Sequence, residues 1–171
     1  INLENRLDYL IDYPHGCLEQ ITSGAFPQLF LNDLVDLPAH RKGELKRNVQ
    51  GVLNRLKDYQ LSNGGFSYWP GQSEAHDWAT TYVGHFMIEA KRQGYAIPVG
   101  LLDNWMNYQR REARRWQNRL TSYNTSLDQA YRLYALALSG NAELAAMNRL
   151  RESEEMSNTA IWRLAAAYAV L

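Results

Sequence analysis

A chain of 171 residues is long enough for a substantial core, since a chain of this size buries roughly 70% of the surface that its unfolded form exposes. Hydrophobic residues make up 46% and charged residues 21%, which is typical of a globular protein, and the mean hydropathy is −0.47. Eighteen basic and eighteen acidic side chains cancel, which argues against attraction to nucleic acid or anionic lipid, and no apolar run approaches the roughly 20 residues that span a bilayer.

Apolar residues recur at helical spacing along most of the chain. The stripes predict helices over 45–56, 79–90, 101–117, 126–139, 142–152 and 159–171. Gly94 and Gly140 stand where helix C-caps are expected, and Asn141 follows Gly140 directly, so the turn there must be tight. No segment alternates convincingly between apolar and polar residues, so the sequence predicts an all-α fold.

A faint internal repeat suggests how these helices are arranged. Its copies are Thr81-Tyr82-Val83-Gly84, Ala130-Tyr131-Arg132-Leu133 and Ile161-Trp162-Arg163-Leu164. Each copy lies near the start of a predicted helix, and small residues nearby would let helices approach closely. We therefore predict an α/α toroid of stacked helical hairpins with inner and outer rings, of which this chain supplies only part. Chance recurrence of common helix-forming residues is the alternative.

The longest irregular stretch, residues 62–77, reads SNGGFSYWPGQSEAHD. Its adjacent glycines, its aromatic residues and its Pro-Gly pair predict a shaped loop. Asp77 at the end of this loop is the predicted N-cap of the helix that follows.

Cys17, the single cysteine of the chain, precedes Gln20 by three residues. If a helix begins near Cys17, the two side chains lie on one face, about 5–6 Å apart at Cβ. The thiol can then attack the side-chain amide of Gln20, releasing ammonia and leaving an internal thioester. Gly16 favours this, because a side chain directly before the nucleophile would crowd the ring. The alternative is an inert, buried cysteine.

These residues carry a resemblance to a known family. The string runs Tyr13-Pro14-His15-Gly16-Cys17-Leu18-Glu19-Gln20. Its last five residues resemble the thioester motif of the α2-macroglobulin and complement family, and the longer string resembles the bacterial branch. That family's thioester-containing domain is an α/α toroid with an NGGF-type loop, similar to residues 63–66 here. The resemblance implies that residues 1–171 form one such domain, a fragment of a larger multidomain protein.

The resemblance implies a broad-spectrum endopeptidase inhibitor rather than an enzyme with turnover. In such proteins a protease cuts a bait segment, the thioester becomes exposed, and a lysine amine or hydroxyl of the protease attacks the acyl carbon of Gln20, releasing Cys17. The implied partners are target proteases and neighbouring domains, with no nucleic acid, direct membrane insertion, cofactor or metal. Bacterial relatives act in host defence or colonisation, in the periplasm, often tethered to the inner membrane by a lipid.

Residues beside the reactive pair are candidates for supporting roles. A thioester hydrolyses in water, so it must be shielded before use, and Tyr13, stiffened by Pro14, is the candidate shield. Leu18 and Glu19 complete the motif, with a structural hydrogen-bonding role expected for Glu19. In some complement proteins a histidine on the toroid assists the transfer, which makes His15 and His76 candidates here; an ordinary solvated or capping role is the alternative for each.

Three other classes of protein stay open at this point. An α/α-toroid enzyme would need an Asp-rich or zinc-binding set of residues, and a Cys–His acyl-transfer enzyme would need an oriented histidine beside Cys17. A carbohydrate-binding module with a non-reactive cysteine could use Tyr68, Trp69 and Trp78 to line a groove.

Overall fold

The computed structural model describes residues 8–117, 125–153 and 156–171, and within these ranges the regular structure is helical. The α-helices are α1 (Leu18–Ala25), α2 (Leu31–Leu34), α3 (Ala39–Arg55), α4 (Asp77–Arg92), α5 (Leu101–Arg115), α6 (Thr125–Leu138), α7 (Leu144–Arg151) and α8 (Asn158–Ala169). Short 3₁₀ helices cover Asp8–Ile11, Pro27–Leu29 and Leu56–Asp58. The all-α prediction is confirmed. None of the helices in these ranges combines the length and apolar character that a membrane span requires.

The helices fall into two sets: one set forms a continuous series of contacts, and the helices of the other set pack against that series. Helices α1, α4, α6 and α8 contact one another in series, whereas α3 packs on α1, α5 on both α4 and α6, and α7 on both α6 and α8. This alternation is compatible with the predicted toroid of stacked hairpins. The copies of the sequence repeat fall near the starts of α4, α6 and α8, the helices that contact in series.

The main hydrophobic core lies beneath α1, α3, α4 and α5. Its fully buried side chains include Leu18, Ile21, Val52, Leu53, Phe66, Val83, Phe86 and Trp105. A second core holds α6, α7 and α8 together. Leu18 and Ile21 belong to the first turn of α1, so burial of these two side chains anchors the stretch that holds Cys17 and Gln20 in the main core.

The predicted helix bounds are close except at α3, which begins at Ala39 rather than near residue 45. Residues 39–44 are polar and carry no apolar stripe, so periodicity could not reveal this first part of the helix. The turn after α6 is as tight as predicted, because Gly140 has a φ of 78° and the Asn141 N–H donates to the Leu136 carbonyl at 2.9 Å.

The prediction of Asp77 as an N-cap is wrong. His76 occupies that position, and its Nδ1 accepts a hydrogen bond from the Ala79 N–H at 3.4 Å. Asp77 is the first helical residue, and its carboxylate instead pairs with the Arg132 guanidinium at 3.0 Å. The Asp77 carboxylate therefore takes part in a long-range ion pair and does not cap the helix.

Arg132 is the centre of a buried polar network that joins α4, α5 and α6. The residue is 3% exposed. Its guanidinium donates to the side-chain oxygens of Gln109 and Gln129 at 2.8 Å each and pairs with the Asp77 carboxylate. Gln109 in turn donates to the Thr81 hydroxyl at 2.9 Å. Each nitrogen of the buried guanidinium has a partner, so removing Arg132 would leave the buried oxygens of Gln109 and Gln129 without a donor.

Substituting Arg132→Met should therefore lower the free energy of unfolding by about 2–4 kcal/mol, since the buried side-chain oxygens of Gln109 and Gln129 lose their donor, whereas the Asp77 side chain is 57% exposed and can be solvated. Arg151→Met is the matched control, because Arg151 is exposed and lies 3.9 Å from an equally exposed Glu152; a change of less than about 0.5 kcal/mol is expected there. Urea unfolding followed by circular dichroism measures both. Equal effects at the two arginines would contradict a structural role for the network.

Candidate functional site

The structure brings Cys17 and Gln20 together at the beginning of α1. Cys17 is the N-cap residue, with an extended backbone (φ −72°, ψ 172°), and Gln20 is the third helical residue. The Cys17 N–H donates to Oε1 of Gln20 at 3.0 Å, while the Cys17 side chain is turned toward the backbone N–H of Gln20. This is a capping box, an arrangement usually made by Ser or Thr with Glu or Gln. Here the two side chains of the capping box are a thiol and an amide, and both lie at the same helix start.

Gly16 makes room for this arrangement. Its φ is +114°, a conformation that side-chain-bearing residues rarely adopt. A Cβ built on Gly16 would lie 2.9 Å from the amide carbon Cδ of Gln20 and closer still to its oxygen. Any residue larger than glycine would therefore displace the Gln20 side chain from Cys17. The crowding expected from the sequence is present in the structure.

The loop before α4 holds the backbone on both sides of Cys17. The hydroxyl of Tyr59 donates to the Gly16 carbonyl at 3.0 Å, and the Leu18 N–H donates to the Tyr68 carbonyl at 3.0 Å. Burial raises the pKa of Tyr59 and of Tyr68 above the ordinary value, and an ionised Cys17 thiol would raise both further. Sequence reasoning missed Tyr59, because nothing in its local pattern shows that its ring reaches a residue 43 positions earlier.

This loop is itself fixed to α4 by hydrogen bonds around Phe66, whose side chain is fully buried. The Phe66 N–H donates to the Thr80 hydroxyl at 2.9 Å, and the His76 N–H donates to the Phe66 carbonyl at 2.9 Å. The Gly65 N–H donates to the Asn63 side chain at 2.9 Å, which closes the turn. The NGGF sequence therefore fixes to α4 the loop whose Tyr59 and Tyr68 contact Gly16 and Leu18.

Tyr13 and Pro14 lie close against two helices. Pro14 is buried against α1, where a Cβ on Gly24 would be 2.8 Å from the proline ring. Tyr13 is 38% exposed and rests on α3, where a Cβ on Gly51 would be 2.8 Å from its ring. The role of Tyr13 as a water shield stays a prediction.

Of the remaining motif residues, Leu18 is fully buried and Glu19 is exposed in the first helical turn. There the Glu19 carboxylate lies at the positive end of the helix dipole, which favours a negative charge.

The two candidate assisting histidines occupy different positions. His15 is exposed, and its ring meets the edge of the Tyr13 ring at 5.0 Å. His76 contacts the Tyr68 ring at 4.6 Å, and its Nδ1 accepts from the Ala79 N–H. The capping geometry favours the capping role for His76.

A third histidine, His85 on α4, is buried among aromatic side chains. Its Nδ1 lies 3.0 Å from the Tyr131 hydroxyl, and its ring packs edge-on against Phe26 and Tyr134. Burial, reinforced by the positive charges of Arg163 and Arg92, lowers the pKa of His85 to about 4. The nearby Glu89 carboxylate, 3.9 Å from Nε2, is held at 3.0 Å by Arg92 and does not offset this. His85 is therefore neutral at neutral pH.

The rival sites are less well formed. Within residues 8–117, 125–153 and 156–171, no cluster of three or more His, Cys, Asp or Glu side chains is placed to hold a metal ion. Of the aromatic side chains that could line a carbohydrate groove, Trp78 stacks on Tyr82 at 5.1 Å and Tyr68 meets His76, while Trp69 is half exposed. Two of these three rings are thus engaged with other aromatic side chains.

Comparison with known proteins identifies the family. Residues 1–116 match the family model of the A-macroglobulin TED domain, and the chain belongs to this family. Alpha-2-macroglobulin of Escherichia coli (strain K12) is 36% identical over 107 residues, which are 60% of this chain and 6% of that protein. The chain therefore corresponds to a small part of its bacterial relatives.

Two solved structures share the fold over almost the whole chain. Salmonella alpha-2-macroglobulin reacted with methylamine matches with a TM-score of 0.81 at 27% identity, covering 99% of this chain and 12% of that chain. Escherichia coli alpha-2-macroglobulin activated by porcine elastase matches with a TM-score of 0.75 at 25% identity, covering 92% of this chain and 15% of that chain. The fold is that of a TED domain from a bacterial alpha-2-macroglobulin-like protein.

Substituting Gly16→Ala should destabilise the site by about 1–2 kcal/mol from the positive φ, plus about 1 kcal/mol from loss of the capping box. Gly71→Ala is the matched control, since Gly71 has a φ of +83° but no atom within 4 Å of a Cβ built there. Urea unfolding should therefore show the larger loss for Gly16→Ala. Equal losses would mean that crowding of Gln20 has no effect on stability.

The depressed pKa of His85 predicts a loss of stability in mild acid. Above its ordinary pKa of 6.5, His85 is neutral in both the folded and the unfolded chain; as the pH falls toward about 4, only the unfolded chain takes up a proton. Between pH 7 and pH 5 this should cost roughly 1–2 kcal/mol of unfolding free energy, which His85→Gln should remove. The exposed His40→Gln is the control. Urea unfolding at both pH values tests this, and an undiminished pH dependence in His85→Gln would refute it.

Proposed function

We propose that this chain is the thioester domain of an alpha-2-macroglobulin-like protease inhibitor, which captures attacking proteases covalently through Cys17 and Gln20. The capping box formed by these two side chains is the observation that carries the proposal. A thiol and a side-chain amide that cap the same helix start, next to a glycine whose Cβ would collide with that amide, support thioester formation between them.

The bond forms by acyl transfer within the chain. The Cys17 sulfur attacks Cδ of Gln20, the C–S bond forms, the C–N bond of the amide breaks, and the nitrogen leaves as ammonia with the thiol proton. Proximity at the helix N-terminus supplies the effective concentration that a bimolecular reaction between a thiol and an amide lacks. No electron is transferred, and no cofactor enters the balance.

Capture of a protease reverses the role of the sulfur. A lysine amine or a hydroxyl of the protease attacks Cδ of Gln20, the C–S bond breaks, and the Cys17 sulfur leaves and takes up the proton lost by the nucleophile. The protease is then amide- or ester-linked to residue 20. Each chain reacts once, so this is single-use inhibition rather than enzyme turnover.

Three further features belong to this proposal. Tyr13, held on α3 and followed by the buried Pro14, would shield the bond from water together with neighbouring domains of a longer protein.

Proteases are the proposed partners, supported by the elastase-activated state of the Escherichia coli relative. A periplasmic location, in a parent protein possessing a lipid anchor, rests on the family resemblance and is tested by fractionating the source cells.

Mass spectrometry of the full-length protein tests the chemistry. The intact protein should be lighter than its sequence by one ammonia, Cys17 should resist alkylation, and methylamine should add its own mass and free the thiol; the Salmonella relative has been crystallised after reaction with methylamine. Cys17→Ala and Gln20→Glu should abolish the methylamine adduct and the SDS-resistant complex with porcine elastase. Ser23→Ala, an exposed change on the same helix, should leave both intact.

The opposite result is equally clear. If Cys17 of the freshly purified full-length protein alkylates freely and methylamine adds no mass, the protein holds no thioester and the proposed function fails.

A further inference from the structure

We propose that Tyr59 is a positioning residue for the thioester reaction, acting through the peptide unit that joins Gly16 to Cys17. The N–H of that peptide stabilises the negative charge that develops on Oε1 of Gln20, and the Tyr59 hydroxyl holds the carbonyl of the same peptide. This inference rests on the proposed function, because it concerns how the bond between Cys17 and Gln20 is made and opened.

The first half of the arrangement is an oxyanion-stabilising donor. The Cys17 N–H already donates to Oε1 of Gln20 at 3.0 Å before any bond forms. When the sulfur attacks Cδ, the carbonyl becomes tetrahedral and its oxygen takes the negative charge. A fixed N–H aimed at that oxygen is worth more in the transition state than in the resting amide, which is how oxyanion holes accelerate acyl transfer.

The second half of the arrangement is the hydrogen bond to the carbonyl of the same peptide unit. The Tyr59 hydroxyl donates to the Gly16 carbonyl at 3.0 Å, and the Tyr59 side chain is 1% exposed. Accepting this hydrogen bond polarises the peptide, so its N–H becomes a stronger donor, as in any chain of hydrogen bonds. It also fixes the plane of the peptide, and therefore the direction in which the Cys17 N–H points.

Tyr59 is well placed to hold this position. Its backbone carbonyl accepts from the Ser67 N–H at 3.1 Å and lies 3.3 Å from the Ser67 hydroxyl. Burial raises the pKa of Tyr59, so the phenol stays protonated and available as a donor. On the far side of Cys17, the Leu18 N–H is bound by the Tyr68 carbonyl. One rigid loop therefore fixes both peptide units that flank the nucleophile.

The same geometry serves both reactions of the site. In thioester formation the oxyanion collapses with loss of ammonia, and in aminolysis it collapses with loss of the Cys17 thiolate. In each case the charge passes through Oε1 of Gln20. Weakening the donor should therefore slow bond formation and bond opening alike, without changing which atoms react.

The test uses Tyr59→Phe in the full-length protein, with methylamine as the nucleophile and mass spectrometry as the readout. The ring is retained and only the hydroxyl is lost, so the rate constant for methylamine incorporation should fall roughly 3- to 10-fold, the size expected for one neutral hydrogen bond. Tyr168→Phe is the matched control, because its hydroxyl also makes a hydrogen bond, at 2.7 Å to Asn148 on α7. That variant should react at the wild-type rate.

A graded variant separates positioning from general stability. Incorporating 3-fluorotyrosine at Tyr59 strengthens the hydroxyl as a donor and retains the ring, so methylamine should react faster than with the wild type. A rate that ignores the fluorine, or a Tyr59→Phe protein that reacts at the wild-type rate, would overturn the role of Tyr59. If Tyr59→Phe does not fold, the fluorinated protein decides alone. A wild-type protein without any thioester would instead refute the proposed function.

Discussion

The hydrogen bond from the Cys17 N–H to the side-chain oxygen of Gln20 fixes the start of α1 and the geometry of the reactive pair together. A helix N-terminus leaves backbone N–H groups without partners, and a capping box satisfies them with side chains. Here the side chains that cap the helix are also the two that would react. The requirement that the helix be capped therefore holds the thiol and the amide in place, and Gly16 is the residue that permits it.

Long-range contacts connect this helix end to the interior of the domain. Arg132 binds Asp77, the first residue of α4; His76 caps the same helix and touches Tyr68; and the Tyr68 carbonyl binds the Leu18 N–H. Leu18 itself is fully buried in the main core. The loop between α3 and α4 therefore contacts the core through Phe66 and the start of α1 through Tyr59 and Tyr68. Such continuity explains how an exposed glutamine can be held in one position.

Local sequence patterns predicted those features that depend on a single helix. The stripes of apolar residues predicted α4 through α8 to within a few residues, because burial of one helical face leaves a period that can be read directly. The beginning of α3 was not predicted, because residues 39–44 carry no apolar stripe. The prediction of Asp77 as an N-cap was wrong because its carboxylate pairs with the Arg132 guanidinium instead of a local N–H. That partner depends on the packing of α6 against α4, which no local pattern shows.

The sequence alone predicts the all-α class, because apolar stripes at helical spacing recur along most of the chain. It also predicts that Cys17 and Gln20 lie on one helical face and that position 16 needs glycine, because helical spacing and side-chain size act within a few consecutive residues. The tertiary structure decided what surrounds that pair. Tyr59 reaches Gly16 across 43 residues, and Tyr68 reaches Leu18 from the same loop. Contacts of this kind depend on how α1, α3 and α4 pack together, and no local pattern in the chain records that packing.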